Sequence, residues 1–220
     1  MGFDLVIFDC DGVLIDSEPL SIQADLACLA EYGISLLAEE ILERYTGISL
    51  AAMLADLETR CGRALPGFAE RHQQLLQVLF EAGLRPIPGV GEVIGSLAGR
   101  VCVASSGTPQ RLRHALSLAG LFDRLQPHIF SASMVARGKP APDLFLYAAD
   151  RMGVTPRRCV VVEDSAPGIA AAVAAGMRAI GFTGGGHCRP GDDSRLAAQG
   201  AALVIDDIGR LLPALAGRWR

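Results

Sequence analysis

Asp9 and Asp11 stand one residue apart where the apolar run Leu5-Val6-Ile7-Phe8 breaks, and Gly12 follows them. One carboxylate so placed can attack phosphorus while its neighbour moves a proton, a pairing suited to phosphoryl transfer. Four apolar residues in a row predict a buried strand, and Gly12 permits the turn that ends it. Both acids then lie at a strand's C-terminal mouth, the edge at which open parallel α/β sheets bind ligands. Taken alone, the same residues also suit an ordinary turn, which favours Asp and Gly.

Later apolar runs also end in polar residues. Val101-Cys102-Val103-Ala104 leads into Ser105-Ser106-Gly107, and Thr108-Pro109 opens a helix. Hydroxyls, backbone amides and a helix N-terminus together can cradle an anion, although capping by Ser106 or Thr108 explains the residues equally well. Lys139 lies between Gly138 and Pro140-Ala141-Pro142, in a frame stiffened by two prolines, where its ammonium can meet a phosphate. Cys159-Val160-Val161-Val162 runs into Glu163-Asp164-Ser165 before a helix. Two acids at a sheet edge suit a hard cation such as octahedral magnesium, with Asp164 as a plain N-cap the alternative.

The elements that must bring these residues together alternate. After the first strand, residues 17 to 84 read as all-helical, with Ser17 and Pro19 opening a first helix that ends at Gly33. Further helices are expected over 38–45, 49–61 and 68–82, before Pro86 and Pro88 break the pattern. From Gly89 onward strands are expected at 101–104, near 129, at 159–162, 179–182 and near 203–205. Helices are expected between them to Leu97 and over 109–118, 142–152 and 167–175. Such βαβ alternation predicts an α/β fold with a mostly parallel sheet covered on both faces. The expected domains are an α/β core of residues 1–15 and 87–220 and a helical insert of residues 16–86.

Half of the 220 residues are apolar, enough for a substantial core. A net charge of −4 without a basic stretch argues against nucleic acid as a partner. No apolar run reaches the roughly 18 residues of a membrane span, and Asp4 disfavours a signal peptide, so a cytoplasmic protein is expected. The six cysteines show no CxxC spacing, which makes a zinc site improbable, and Cys102 and Cys159, inside apolar runs, are expected to stay reduced. Cys10 lies between the aspartates, but no histidine is near it in sequence to make it a nucleophile. Gly184-Gly185-Gly186-His187-Cys188 reads as a mobile loop rather than a phosphate or metal site. Asp192-Asp193 and Asp206-Asp207 read as helix caps, and His72, His114 and His128 carry no expected role.

With Asp9-x-Asp11-Gly12-Val13-Leu14, Ser105, Lys139-Pro140 and Glu163-Asp164 in this order, the chain resembles the haloacid dehalogenase-like phosphohydrolases over nearly its whole length. Its helical insert resembles the cap of the subgroup containing phosphoglycolate phosphatase, β-phosphoglucomutase and 6-phosphogluconate phosphatase. The resemblance implies a Rossmann-like three-layer sandwich with an inserted helical cap. It makes Asp9 the nucleophile and Asp11 the general acid and base. It makes Ser105 and Lys139 the phosphate holders, beside Ser106 and Gly107 as candidate phosphate contacts from the turn itself, and it has magnesium held by Asp9, the Asp11 carbonyl, Glu163 and Asp164.

The activity so implied is hydrolysis of a small phosphate monoester, a sugar phosphate or a phosphorylated sugar acid such as 6-phosphogluconate, through an aspartyl phosphate. A phosphoglycolate phosphatase and a phosphosugar mutase are the alternatives. Ungapped counting from Asp9 puts Ser21 and Leu50 where β-phosphoglucomutases carry a cap histidine and arginine. Neither can replace its counterpart, which favours the phosphatase. A receiver-like phospho-acceptor module is disfavoured by the helical insert, and a dehalogenase by Asp11 with the Glu163-Asp164 pair. The cap stretch 44–49 is a candidate substrate contact, and an acidic substrate would favour cations there, with Arg44, Arg60, Arg63 and Arg71 available. The expected partner is a small phosphorylated metabolite, with no nucleic acid or membrane; the oligomeric state is open between monomer and weak dimer.

Overall fold

The computed structural model describes residues 3–45, 50–97 and 100–217. Two compact units emerge: Met1–Asp16 with Arg85–Arg220, and Ser17–Leu84. The first holds a six-stranded sheet of β1 (Leu5–Phe8), β2 (Val101–Ser105), β3 (Ile129–Ser131), β4 (Cys159–Glu163), β5 (Arg178–Phe182) and β6 (Leu203–Ile205). Its order is β3-β2-β1-β4-β5-β6 and every pairing is parallel. The chain moves outward from β1 to β3, then returns to the other side of β1, so Asp9 follows the strand at which the order reverses.

Every residue of β1, β2 and β4 is buried, which requires cover on both faces and makes the sheet the middle layer of a Rossmann-like sandwich. Leu5 and Ile7, Cys102 and Ala104, and Cys159 and Val161 share one face. They pack with Leu144, Phe145 and Ala148 of α8 (Asp143–Arg151) and Ile169 and Ala172 of α9 (Ala166–Ala174). Helices α5 (Val90–Ser96), α6 (Pro109–Leu118), α7 (Phe122–Leu125), α10 (Asp192–Ala198) and α11 (Leu211–Ala216) complete this unit.

The second unit consists of α1 (Glu18–Glu31), α2 (Ala38–Tyr45), α3 (Leu50–Cys61) and α4 (Phe68–Gly83). Cys28 and Leu29 of α1, Ile41 and Tyr45 of α2, Met53 and Leu57 of α3 and Phe68 of α4 form its core. Ser17 differs from expectation. Its backbone is already helical (φ −88°, ψ −27°), and its side chain makes no capping bond. Of the stretch 44–49, expected above as a candidate substrate contact, residues 46–49, including Gly47, lie outside the described residues. His72 Nε2 lies 2.8 Å from Asp25 Oδ1 in this unit, with Phe68 stacked on its ring. No described helix is long and apolar enough to cross a membrane.

Candidate active site

Parallel strands bring their C-terminal ends to one edge, and here that edge carries Asp9, Ser105, Ser131, Glu163 and Asp164, all buried. The Asp9 amide continues the ladder by donating to the Val162 carbonyl at 3.0 Å, which fixes the nucleophile candidate beside β4. The chain then turns tightly. Gly12 donates to the Ile15 carbonyl at 2.8 Å, and Leu14 and Ile15 both donate to Cys10. Gly12 has φ +74°, and a Cβ there would overlap Asp164 Oδ2 and lie 2.9 Å from His187 Cε1. The glycine therefore serves both the turn and the close approach of Asp164.

A Gly12→Ala variant should lose about 1–3 kcal/mol from the strained backbone and should lose activity as Asp164 is displaced. Urea unfolding and turnover assays check this. A variant as stable and as active as the native chain would show that this packing does not matter.

Lys139 lies in the loop between β3 and α8, and its ammonium donates to Asp9 Oδ1 at 2.5 Å and Glu163 Oε1 at 2.6 Å. Its side chain is only 6 % exposed, and Phe145 presents its ring 5.0 Å from Nζ. Burial opposes the charge on Lys139, but Asp9 and Glu163 outweigh it and hold the ammonium well above the ordinary lysine range. Burial pushes Asp9 upward in turn, helped by Glu163, Asp164 and Asp11 and opposed by Lys139.

Glu163 also accepts from the Ser165 amide and hydroxyl through Oε2, both at 2.8 Å. Ser165 is the N-cap of α9 and accepts from the Gly168 amide at 3.1 Å. Asp164 is thus relieved of capping. Its Oδ2 lies 3.2 Å from Nε2 of His187, a residue the sequence placed in a mobile loop. That loop is tied down where the Gly186 amide donates to Asp16 Oδ1 at 2.9 Å. Burial disfavours a charged His187, yet its bonds to Asp164 and Cys188 raise it to about 11. Burial raises Asp164 while His187 opposes the rise.

Asp9, Glu163 and Asp164 offer ligand oxygens within 4.8 Å of one another, all on buried residues. Three buried carboxylates answered by one ammonium and one imidazole form a site that a hard divalent cation suits. Cys10 is enclosed and its thiol is pushed well up by burial, so it has no thiolate to offer.

Ser105 ends β2 and accepts from the Gly107 amide at 3.1 Å, while Ser131 donates to the Gly107 carbonyl at 2.6 Å. Ser106 is exposed. Thr108 caps α6 by accepting from the Arg111 amide at 3.3 Å, leaving Ser105 to the site. Arg111 itself escaped sequence reading. Its Nη1 and Nη2 donate to Asp11 Oδ2 and Oδ1 at 2.7 and 2.8 Å.

Buried acids and a buried lysine gathered where the order of a parallel α/β sheet reverses make an active site of the kind such sheets carry. A family model for haloacid dehalogenase-like hydrolases matches residues 3–176, and the chain belongs to that family. The 6-phosphogluconate phosphatase of Escherichia coli K12 is 30 % identical over 189 residues, covering 85 % of this chain and 86 % of that one. A haloacid dehalogenase-like protein of Agrobacterium tumefaciens superposes with a TM-score of 0.87 at 40 % identity, covering 98 % of each chain. A hydrolase of the same family from Deinococcus radiodurans, solved with bound phosphate and sodium, gives 0.82 at 36 %, covering 98 % and 96 %.

Proposed function

We propose that the chain is a magnesium-dependent phosphatase acting on a small phosphate monoester, a sugar phosphate or a phosphorylated sugar acid such as 6-phosphogluconate. The observation that carries this reading is the contact of Lys139 with Asp9 and Glu163 beside Asp164. It joins a nucleophile, a buried cation and a set of hard oxygen ligands at one sheet edge. The name of the Escherichia coli relative supports the substrate class.

Asp9 attacks phosphorus, and the bond to the leaving alcohol breaks as Asp11 gives that oxygen a proton. Water then attacks the aspartyl phosphate, Asp11 takes the water's proton, and cleavage of the bond to Asp9 releases phosphate. Lys139 neutralises charge at the phosphoryl oxygens, and Ser105 with the Gly107 turn orients them. Magnesium, held by Asp9, Glu163, Asp164 and the Asp11 carbonyl, would supply further neutralisation of those oxygens. A cytoplasmic location agrees with a metabolite substrate.

The test is phosphate release from a panel of sugar phosphates, phosphorylated sugar acids and phosphoglycolate, with magnesium and with chelator. Turnover should require the metal and fall at least about 100-fold on chelation. Failure to hydrolyse any monoester would overturn the proposal.

A further inference from the structure

Lys139 is buried at the bottom of the site against Asp9 and Glu163, whereas the Arg111 side chain is 31 % exposed beside the proton-transfer candidate. Arg111 rises from the first turn of α6. A Cβ on Gly107 would lie 3.3 Å from its Nη1, so the guanidinium stands against the Ser105–Gly107 turn. Its planar fork already grips a carboxylate, that of Asp11, through two N–H bonds. A fork of this shape matches carboxylates and phosphates and discriminates against neutral groups.

Three arginines of the helical unit are engaged differently. Arg71 is bidentate to Glu31, Arg60 donates to Tyr45 at 2.9 Å and pairs with Asp56, and Arg63 donates to the Tyr32 carbonyl. These three contacts lie within that unit, so they serve its own packing. Arg111 is the guanidinium that the core places next to the groups handling the leaving alcohol.

We infer that Arg111 determines specificity by binding an anionic group on the leaving alcohol, so that the site selects phosphorylated acids over the corresponding neutral phosphates. The inference rests on the phosphatase reading and narrows it. The substrate's carboxylate shares or takes over the fork that holds Asp11. No bond is made or broken at Arg111, and the proton transfer stays with Asp11.

The experiment compares 6-phosphogluconate with sorbitol 6-phosphate, which carries a neutral hydroxymethyl in place of the carboxylate. Steady-state kinetics are measured for the native chain, Arg111→Met and Arg111→Lys. Loss of the Asp11 contact lowers turnover of both substrates in Arg111→Met, so the readout is the ratio of their kcat/KM values. The native chain should prefer the acid, and Arg111→Met should lower that preference about 10- to 100-fold, the worth of charge-assisted hydrogen bonds. The loss should fall mainly on KM for the acid. Arg111→Lys, which keeps charge but not the fork, should restore part of the preference.

An unchanged ratio in Arg111→Met, or a native chain without preference for the acid, overturns the inference and leaves the phosphatase reading standing. A native chain that releases phosphate from no monoester overturns both.

Discussion

Asp9→Asn is expected to abolish phosphate release, lowering kcat by at least about 10^4-fold, because in the proposed mechanism Asp9 is the attacking carboxylate and a metal ligand, and an amide serves poorly as either. The substitution is nearly isosteric and removes a charge from a buried cluster of acids. Burial raises Asp9, Lys139 opposes the rise and Glu163, Asp164 and Asp11 add to it; with Asp9 made neutral, the ammonium still has Glu163 as its partner. The variant should therefore fold at least as well as the native chain in the absence of metal, and its loss of activity cannot be blamed on unfolding. Calorimetry in chelator beside a turnover assay checks both halves. An Asp9→Asn variant that retains more than a small percentage of native turnover would remove Asp9 from the nucleophile's role.

Lys139→Met should act in the opposite sense on stability. The ammonium is buried against Asp9 and Glu163, and its removal leaves two buried carboxylates without their partner. Breaking a buried pair in this way costs about 3–5 kcal/mol. Turnover should fall about 100- to 1,000-fold as well, the scale for losing one preorganised charge stabiliser. Urea denaturation in chelator measures the first effect and kcat the second. Adding Asp9→Asn to Lys139→Met should recover part of the lost stability, because the second change removes one of the stranded charges. A Lys139→Met chain as stable as the native one would mean that the pair of contacts contributes nothing to the fold.

The strand ends were legible because each closes a run of apolar, often β-branched residues. Cys159–Glu163 is the clearest, and its register against β1 places Glu163 and Asp164 next to Asp9. The helix over Pro109–Leu118 was legible from Thr108-Pro109, and Thr108 does cap it. Lys139 was legible from the prolines that frame it, although its burial depends on Phe145 and on acids far away in sequence.

What escaped has long-range causes. Arg111 meets Asp11 across 100 positions, and nothing local marks it off from Arg113 on the same helix. His187 was hidden because three glycines beside it resemble a loose loop, whereas the contact that orders it comes from Asp164 and from Asp16 through Gly186. Ser131 closes a strand of three residues, too short to show alternation. The helices Phe122–Leu125 and Leu211–Ala216 cover too few turns for a 3.6-residue period to stand out. Ser17 is a capping residue type, yet it is buried with helical backbone angles and no capping bond, which residue type alone does not reveal.

The central claim is that phosphate passes through Asp9. Mixing the native chain with a hydrolysed monoester and magnesium, quenching in acid, reducing with borohydride and mapping peptides by mass spectrometry tests it most directly. Borohydride converts an acyl phosphate to the alcohol, so the account predicts homoserine at position 9 and no modification at Asp11. Reduction at another carboxylate, or none during active phosphate release, would contradict it.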